Sequence, residues 1–393
     1  MPGVHPQHGR SLVQGHGVAD GLRHRVRQVH AGHLTGKPEG PPRRGPSPRP
    51  VERGTGVSIS GRGIIAGVAV ALLSGIASPI GAALPQPGAG RSVPSRRAVE
   101  IPAVANDADE AVLGRPLALA VDSDRLYVAD AVDCAIKVFT KEGRFLRSMG
   151  RKGAGPGELS FPSGVAAIGN SIVVADKLNF RIQTFDGEGI VRGAFKVPFA
   201  PDRVFSLGDE RLLVTANPTG RRSGERLLHI YDTAGRLVWE GLEARASSDP
   251  IADTFRNMVL VCPGERGEFR VVYRSGDRTV RNFSASGALL AKIDVDARYD
   301  SISVDLSAGR GALRLDGFCW AAASDGELLY LSAPESVDGR DLGPGRALSV
   351  IDGQGRLQAR IELPCAIHRF LVDDGRVFAV DDEGSLRIFE VGR

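Results

Sequence analysis

From Pro116 to the end of the chain, apolar and polar residues alternate in short runs separated by polar, glycine-containing turns. That period of two predicts β-strands with one face buried, joined by tight turns. One phrase recurs. Arg125-Leu-Tyr-Val-Ala-Asp130 is followed, five residues on, by Ile136-Lys-Val-Phe139. It returns as Ser171-Ile-Val-Val-Ala-Asp176 with Arg181-Ile-Gln-Thr-Phe185, and as Arg376-Val-Phe-Ala-Val-Asp381 with Leu386-Arg-Ile-Phe389. Each copy reads as two strands joined by a polar loop. A repeat of about 40 to 50 residues built this way predicts the blades of a β-propeller.

The strand runs divide into six groups. The first spans Pro116 to Met149, the second Pro162 to Val197, and the third Pro201 to Trp239. The fourth comprises Asn257–Val261, Phe269–Tyr273, Val280–Phe283 and Leu289–Ile293. The fifth comprises Phe318–Ala322, Leu328–Leu331, Leu348–Ile351 and Leu357–Ile361. The sixth has only His368–Val372, Val377–Val380 and Leu386–Phe389. Turns are marked by Glu142-Gly143, Asp186-Gly187, Ser286-Gly287, Asp352-Gly353 and Asp374-Gly375. The apolar patch Ala98–Val104 is the expected fourth strand of the last blade, since borrowing it closes the ring and removes two exposed edges. The fold class is therefore all-β: a six-bladed β-propeller of four-stranded antiparallel blades, closed by an N-terminal strand.

Composition divides the chain further. Of its 50 basic and 46 acidic residues, nine and three fall within residues 1–56, which leaves 41 and 43 beyond. Six of the eight histidines lie in the first 33 residues. The pI of about 9.0 thus belongs to the N-terminal part. No nucleic-acid binding is expected of the near-neutral propeller. Residues 1–63 read as a disordered basic tail, poor in large apolar groups. A translation start near Val57 would remove most of it. Residues 64–84 hold no charge, contain the apolar stretch Ile64–Leu73 and end in Gly81-Ala-Ala83. They read as a signal peptide, or as a membrane anchor if retained, which predicts an exported protein, secreted or in the cell envelope. Residues 85–97 read as linker and 98–393 as the propeller. Cys134, Cys262, Cys319 and Cys365 have neither a zinc-site spacing nor a disulfide-scaffold pattern, and Cys262 and Cys319 read as small buried apolar groups.

The joint between the first two blades is Gly150-Arg-Lys-Gly-Ala-Gly-Pro-Gly-Glu-Leu-Ser-Phe-Pro-Ser-Gly-Val-Ala166. With Val174-Ala-Asp176, Asn179 and Arg181–Phe185 it resembles the NHL-repeat propellers. The resemblance is specific over the first two blades, weaker in the sixth and architectural elsewhere. It implies a six-bladed ring and, for bacterial exported members, a binding or sensing module. The aspartates Asp130, Asp176 and Asp381 end second strands, where a carboxylate bonds backbone N–H groups of the following loop.

No catalytic motif stands out. Amidating lyases of this architecture need a zinc held by several histidines, and only His229 and His368 lie in the propeller. Lactonase-type propellers place acidic ligands for a divalent cation on the innermost strands; those read here, Leu117–Val121, Val165–Ile168, Val204–Leu207, Met258–Val261, Phe318–Ala322 and Phe370–Val372, carry no carboxylate. A metal-dependent hydrolase or lyase is the alternative reading; no metal, cofactor or catalytic residue is assigned. Aligning the first strands places Ala118, Gly164, Arg203, Asn257, Gly317 and Arg369 at equivalent positions. Blades three and six oppose each other, so Arg203 and Arg369 would look into one mouth of the channel, with His368 and Asn257 beside them. Two guanidinium forks there suit a carboxylate, a phosphate or an acidic peptide. Solvated rim charges, with Arg203 balanced by Asp202 and Arg369 by Asp316, are the plainer reading. The loop Asn217–Glu225, with Arg221 and Arg222, and the loop Ala333–Arg346 are further contact candidates. The expected protein is a monomeric, non-catalytic binding or scaffold module.

Overall fold

The computed structural model describes residues 92–102, 109–208, 210–296, 299, 302–307, 312–337 and 341–392. The expected tail, the segment 64–84, most of the linker and Ala103–Val104 lie outside the described residues. The blades belong to one compact unit, Ala83–Arg393.

The architecture is a six-bladed β-propeller. Blade one comprises Pro116–Val121, Arg125–Asp130, Ala135–Thr140 and Phe145–Met149. Blade two comprises Pro162–Ile168, Ser171–Asp176, Arg181–Asp186 and Val191–Lys196. Blade three comprises Pro201–Ser206, Arg211–Ala216, Arg226–Asp232 and Leu237–Glu243. Blade four comprises Val259–Pro263, Phe269–Tyr273, Thr279–Phe283 and Leu289–Asp294. Blade five comprises Ala321–Asp325, Leu328–Ser332, Ala347–Ile351 and Leu357–Glu362. In blade six, Ile367–Asp373, Arg376–Asp381 and Leu386–Glu390 are joined by Val99–Ile101, antiparallel to the last of them.

The two inner strands of each blade are almost wholly buried, as in Leu126–Asp130 and Ala135–Phe139, whereas outer strands such as Val191–Lys196 are half exposed. Apolar side chains on both faces of each inner strand pack against the blades on either side. One such layer joins blades one and two through Tyr127, Ile136, Ile172 and Phe185, and another joins blades two and three through Ile182, Val204 and Tyr231. Blades one and six share Leu126, Phe139, Phe378 and Ile388. That layer seals the ring where the last blade meets the first.

The repeated aspartates act as loop fasteners. Asp130 accepts hydrogen bonds from the backbone N–H of Gly114 (2.6 Å), Arg115 (3.0 Å) and Val132 (3.0 Å). Asp176 accepts from Ser160 N–H (2.7 Å), Asn179 Nδ2 (2.8 Å) and Arg181 Nε (2.8 Å). Asp381 accepts from Glu383 and Ser385 N–H (3.0 and 2.8 Å) and from Arg387 Nε (2.8 Å). In the blade-joining loop, Glu158 accepts from Ala154 and Gly155 N–H (3.1 and 2.9 Å). A Cβ on Gly153, which has φ +155°, would meet that carboxylate at 2.1 Å.

Several elements differ from the sequence reading. Ser95–Arg97, read as linker, adds a parallel fifth strand to blade five beside Arg360–Glu362. A hairpin, Ile302–Ser307 with Ala312–Gly317, stands between blades four and five, so the first strand of blade five begins at Ala321 and not at Phe318. A capped helix, Pro250–Arg256, precedes blade four. Its N-cap Asp249 accepts from Ile251 and Ala252 N–H, and proline occupies its first turn. The loop Ala333–Arg346 contains a small ladder, Glu335–Val337 with Asp341–Gly343. In two of the expected Asp-Gly turns the positive φ falls two residues later, on Gly189 and Gly355.

Candidate functional site

Strand register fixes which residues share a level in the ring. Counting from the bulge between third and fourth strands, Ala118, Gly164, Arg203, Leu260 and Ala321 are equivalent. Arg369 of blade six pairs with Val380, one residue before the strand-ending Asp381, as Ala118 pairs with Ala129 before Asp130. The expected equivalence therefore holds for blades one, two, three and six. It fails for Asn257 and Gly317, because the helix and the extra hairpin shift blades four and five by three and four residues.

Arg203 and Arg369 line one cavity of about 780 Å³, with Arg115, Lys177, Asp202 and Arg274. Arg203 donates through Nη1 to the carbonyls of Ser163 in blade two and Asp202 (3.0 Å to the latter). Arg369 donates through Nε to Leu117 O of blade one (3.0 Å) and through Nη1 to His368 O (3.3 Å). Both arginines thus reach onto the two blades that carry Ala118 and Gly164 at their own position. A Cβ on Gly164 would sit 2.8 Å from Val204 N and 2.9 Å from Arg203 Cα, so glycine permits that close approach.

Arg274 is the third guanidinium. It follows the second strand of blade four directly, as Lys177 follows that of blade two. Its guanidinium lies 4.2 Å from the centroid of the Trp320 ring and donates to the Met258 sulfur at 3.7 Å. Burial, and then the neighbouring Arg203, lower Arg274 to about 10. Burial, Arg203 and Arg274 lower Arg369 to about 9. Arg274 and Arg369 both remain cationic at neutral pH.

One carboxylate sits among them. Asp202 pairs with Lys177 Nζ at 3.0 Å, and Lys177 also donates to Asn217 Oδ1 at 3.4 Å. Burial pushes the Asp202 carboxyl up, but Arg203 and Lys177 outweigh it and hold the group below the usual carboxylate range. Glu265, in the turn after Val259–Pro263, is the other carboxylate on the wall, beyond the far end of the first strand. Five cations therefore line the cavity against two carboxylates. The position one residue past the arginine level is Leu119, Val165, Val204, Val261, Ala322 and Phe370 in the six blades. That layer is apolar all round.

The other expected site residues divide. His368 meets Trp320 edge to face, 5.8 Å between centroids, and is not among the residues that line the cavity. Burial, then Arg369, lowers its pKa, so it is neutral at pH 7. Asn257 touches the cavity, but its amide is committed. Nδ2 donates to Arg245 O and Oδ1 accepts from Arg245 N–H, both at 2.8 Å. It caps the helix end, and its amide is paired with the backbone of Arg245. Arg221 pairs with Glu225 (3.2 Å) and Arg222 is exposed; neither lines the cavity, although their loop does so through Asn217, Pro218 and Thr219. Asp202 does not neutralise Arg203 alone, since Lys177 shares it. Arg115, Lys177 and Arg274 were missed. Their signal in the sequence is position: Lys177 and Arg274 stand one residue past a second strand, at the same ring mouth.

Among the described residues, no three His, Cys, Asp or Glu side chains gather as metal ligands. The four cysteines are unpaired thiols, and burial pushes Cys319 up to about 12 and Cys262 higher. No described helix is long and apolar enough to cross a membrane.

The sequence profile of a family described as a 6-bladed beta-propeller matches residues 107–235. No curated protein matches the chain. Among solved structures, it is similar to a protein from Bacteroides fragilis described as exported (11% identity, covering 76% of this chain and 99% of that one, TM-score 0.49). It is also similar to virginiamycin B lyase from Staphylococcus aureus (13% identity, 70% and 80%, TM-score 0.44). BamB from Moraxella catarrhalis is another (12% identity, 70% and 85%, TM-score 0.42). Likeness at this level concerns the fold and says nothing of activity.

Proposed function

We propose that this protein is an exported, non-catalytic propeller of the NHL-repeat kind that binds an anionic small molecule or the acidic part of a peptide at one ring mouth. The observation that carries this reading is the set Arg203, Arg274 and Arg369 lining one cavity, partly buried and repelling one another, with Asp202 as the carboxylate that offsets them among the described residues. Mutual repulsion among buried cations is costly unless an anion relieves it. Guanidinium forks with unspent N–H groups supply directed bonds to a carboxylate or phosphate. Export rests on the uncharged segment 64–84 and its small-residue end.

Calorimetric titration of the full chain with succinate and with inorganic phosphate tests the anion site. Binding that weakens at least tenfold in Arg369→Gln, with an unchanged melting profile, is the expected result. Anion affinity equal in wild type, Arg203→Gln and Arg369→Gln would remove the proposal.

A further inference from the structure

The cations of the cavity are held in place with little neutralisation. Among the described residues, only Lys177 of the five pairs with a carboxylate, Asp202 at 3.0 Å. The others are supported by aromatic rings or backbone oxygens. Arg115 lies 5.5 Å from the centroid of the Phe161 ring, and Lys177 Nζ lies 5.9 Å from the same centroid. Arg274 rests on Trp320, and Arg203 and Arg369 donate to carbonyls. A ring face or a carbonyl fixes a cation and leaves its net charge for a ligand. Phe161 has φ +60°, a left-handed conformation that a bulky side chain rarely adopts. Its carbonyl accepts from Lys177 N–H at 3.3 Å, which ties the ring to the loop that carries this lysine.

The charges fall into two groups. Arg115, just before blade one, and Lys177, just after the second strand of blade two, share Phe161. Arg203, Arg274 and Arg369 form the other group, for Arg369 feels Arg203 and Arg274 more strongly than it feels Arg115. Asp202 stands between the groups, bonded to Lys177 and next in sequence to Arg203. A ligand with a single anionic group at the three arginines would leave Arg115 and Lys177 offset only by that shared carboxylate. Asn217 and Thr219 add polar groups to the wall beside Lys177.

We infer that the ligand is a small molecule with at least two anionic groups, one held by Arg203, Arg274 and Arg369 and a second held by Arg115 and Lys177. This rests on the anion reading above and adds the number and placement of the ligand's charges. Carboxylates and phosphates share this chemistry, because guanidinium and ammonium groups bind either.

Calorimetry on the full chain tests it with succinate, glutarate and adipate, each against its monomethyl ester, and with pyrophosphate against inorganic phosphate. The ester keeps the length of the diacid and one carboxylate. At least one diacid should bind about tenfold or more tighter than its ester, the order expected for one added charge-assisted contact. A preference seen only with pyrophosphate would support the same site and assign it to phosphates. Arg115 is exposed, so Arg115→Gln should fold, and it should cost the preferred ligand about fivefold more than it costs the singly anionic partner. Lys177→Met should act in the same direction. No preference in any pair would overturn the second anionic group and leave the anion site standing. Equal losses for both members of the pair in Arg115→Gln and in Lys177→Met would overturn its placement at those residues. Binding of none of these anions would overturn both readings.

Discussion

Arg274 rests its guanidinium on the face of Trp320, 4.2 Å from the ring centroid, at the mouth of a cavity it shares with Arg203 and Arg369. The indole gives a buried cation a favourable surface without neutralising its charge. Trp320 in turn meets His368. The stack Arg274–Trp320–His368 ties blades four, five and six together at the level where the ring carries its charge.

Trp320 should therefore report on the site. The chain has only one other tryptophan, Trp239, which packs against Phe269 and Phe283 away from the cavity. In Trp239→Phe, titration with succinate should change the emission of Trp320 with the same midpoint as calorimetry. Unchanged emission at saturating succinate would show that no anion engages Arg274.

Asp202 opposes the cationic field. Asp202→Asn should raise affinity for a monoanion about three- to tenfold at low salt, the order expected for removing one charge at close range in a partly screened site. Raising the salt concentration should shrink the gain. Weaker binding in Asp202→Asn would mean that the carboxylate positions Lys177 or Arg203 and does not merely lessen their field.

His229 sets an acid limit on stability. It lies in the third strand of blade three, packed against Phe199 with ring centroids 4.1 Å apart, and burial followed by Arg221 lowers its pKa to about 4. Glu240 Oε2, 3.9 Å from Nε2, is the nearest acidic partner. The unfolded chain titrates near 6.5 and takes up its proton first, so stability falls as pH drops from about 6.5 to 4. The loss attributable to this residue should be on the order of 2 kcal/mol, allowing for partial screening. Urea unfolding at pH 7 and pH 4 should show that much less pH dependence in His229→Gln than in wild type.

The Arg181–Asp176 pair is structural. Arg181 donates to Asp176 at 2.8 Å and to the carbonyls of Ala154, Gly155 and Glu158, and Asp176 is wholly buried. Arg181→Leu should cost about 3 to 5 kcal/mol, since it leaves a buried carboxylate short of its cation and three carbonyls short of donors. Denaturant unfolding measures it; a loss under 1 kcal/mol would show that water replaces the guanidinium.

The strands were legible wherever the blade phrase was intact. Asp381, and Asp130 through Val132, bond N–H groups of the following loop, which is a local matter. That Asp130 also holds Gly114 and Arg115, and that Asp176 takes its backbone N–H from Ser160 on the preceding loop, was not legible. Arg203 and Arg369 were legible because blades three and six keep the spacing of blades one and two at their first strands. Blades four and five were not. The helix Pro250–Arg256 and the hairpin Ile302–Gly317 interrupt the repeat there, and alternation alone does not mark where an insertion ends and a first strand begins. Asn257 was misplaced for that reason, by three residues.

By itself the sequence determined what depends on neighbours along the chain: strands from period-two alternation, turns from glycine and aspartate, and six blades from repetition. The tertiary structure decided which cations meet. Arg115, Lys177, Arg203, Arg274 and Arg369 come from five blades and are separated by up to 254 residues, and only closure of the ring brings them to one cavity. Their charge acts through space over distances that sequence separation does not encode, so the site appears only once the strand registers are fixed.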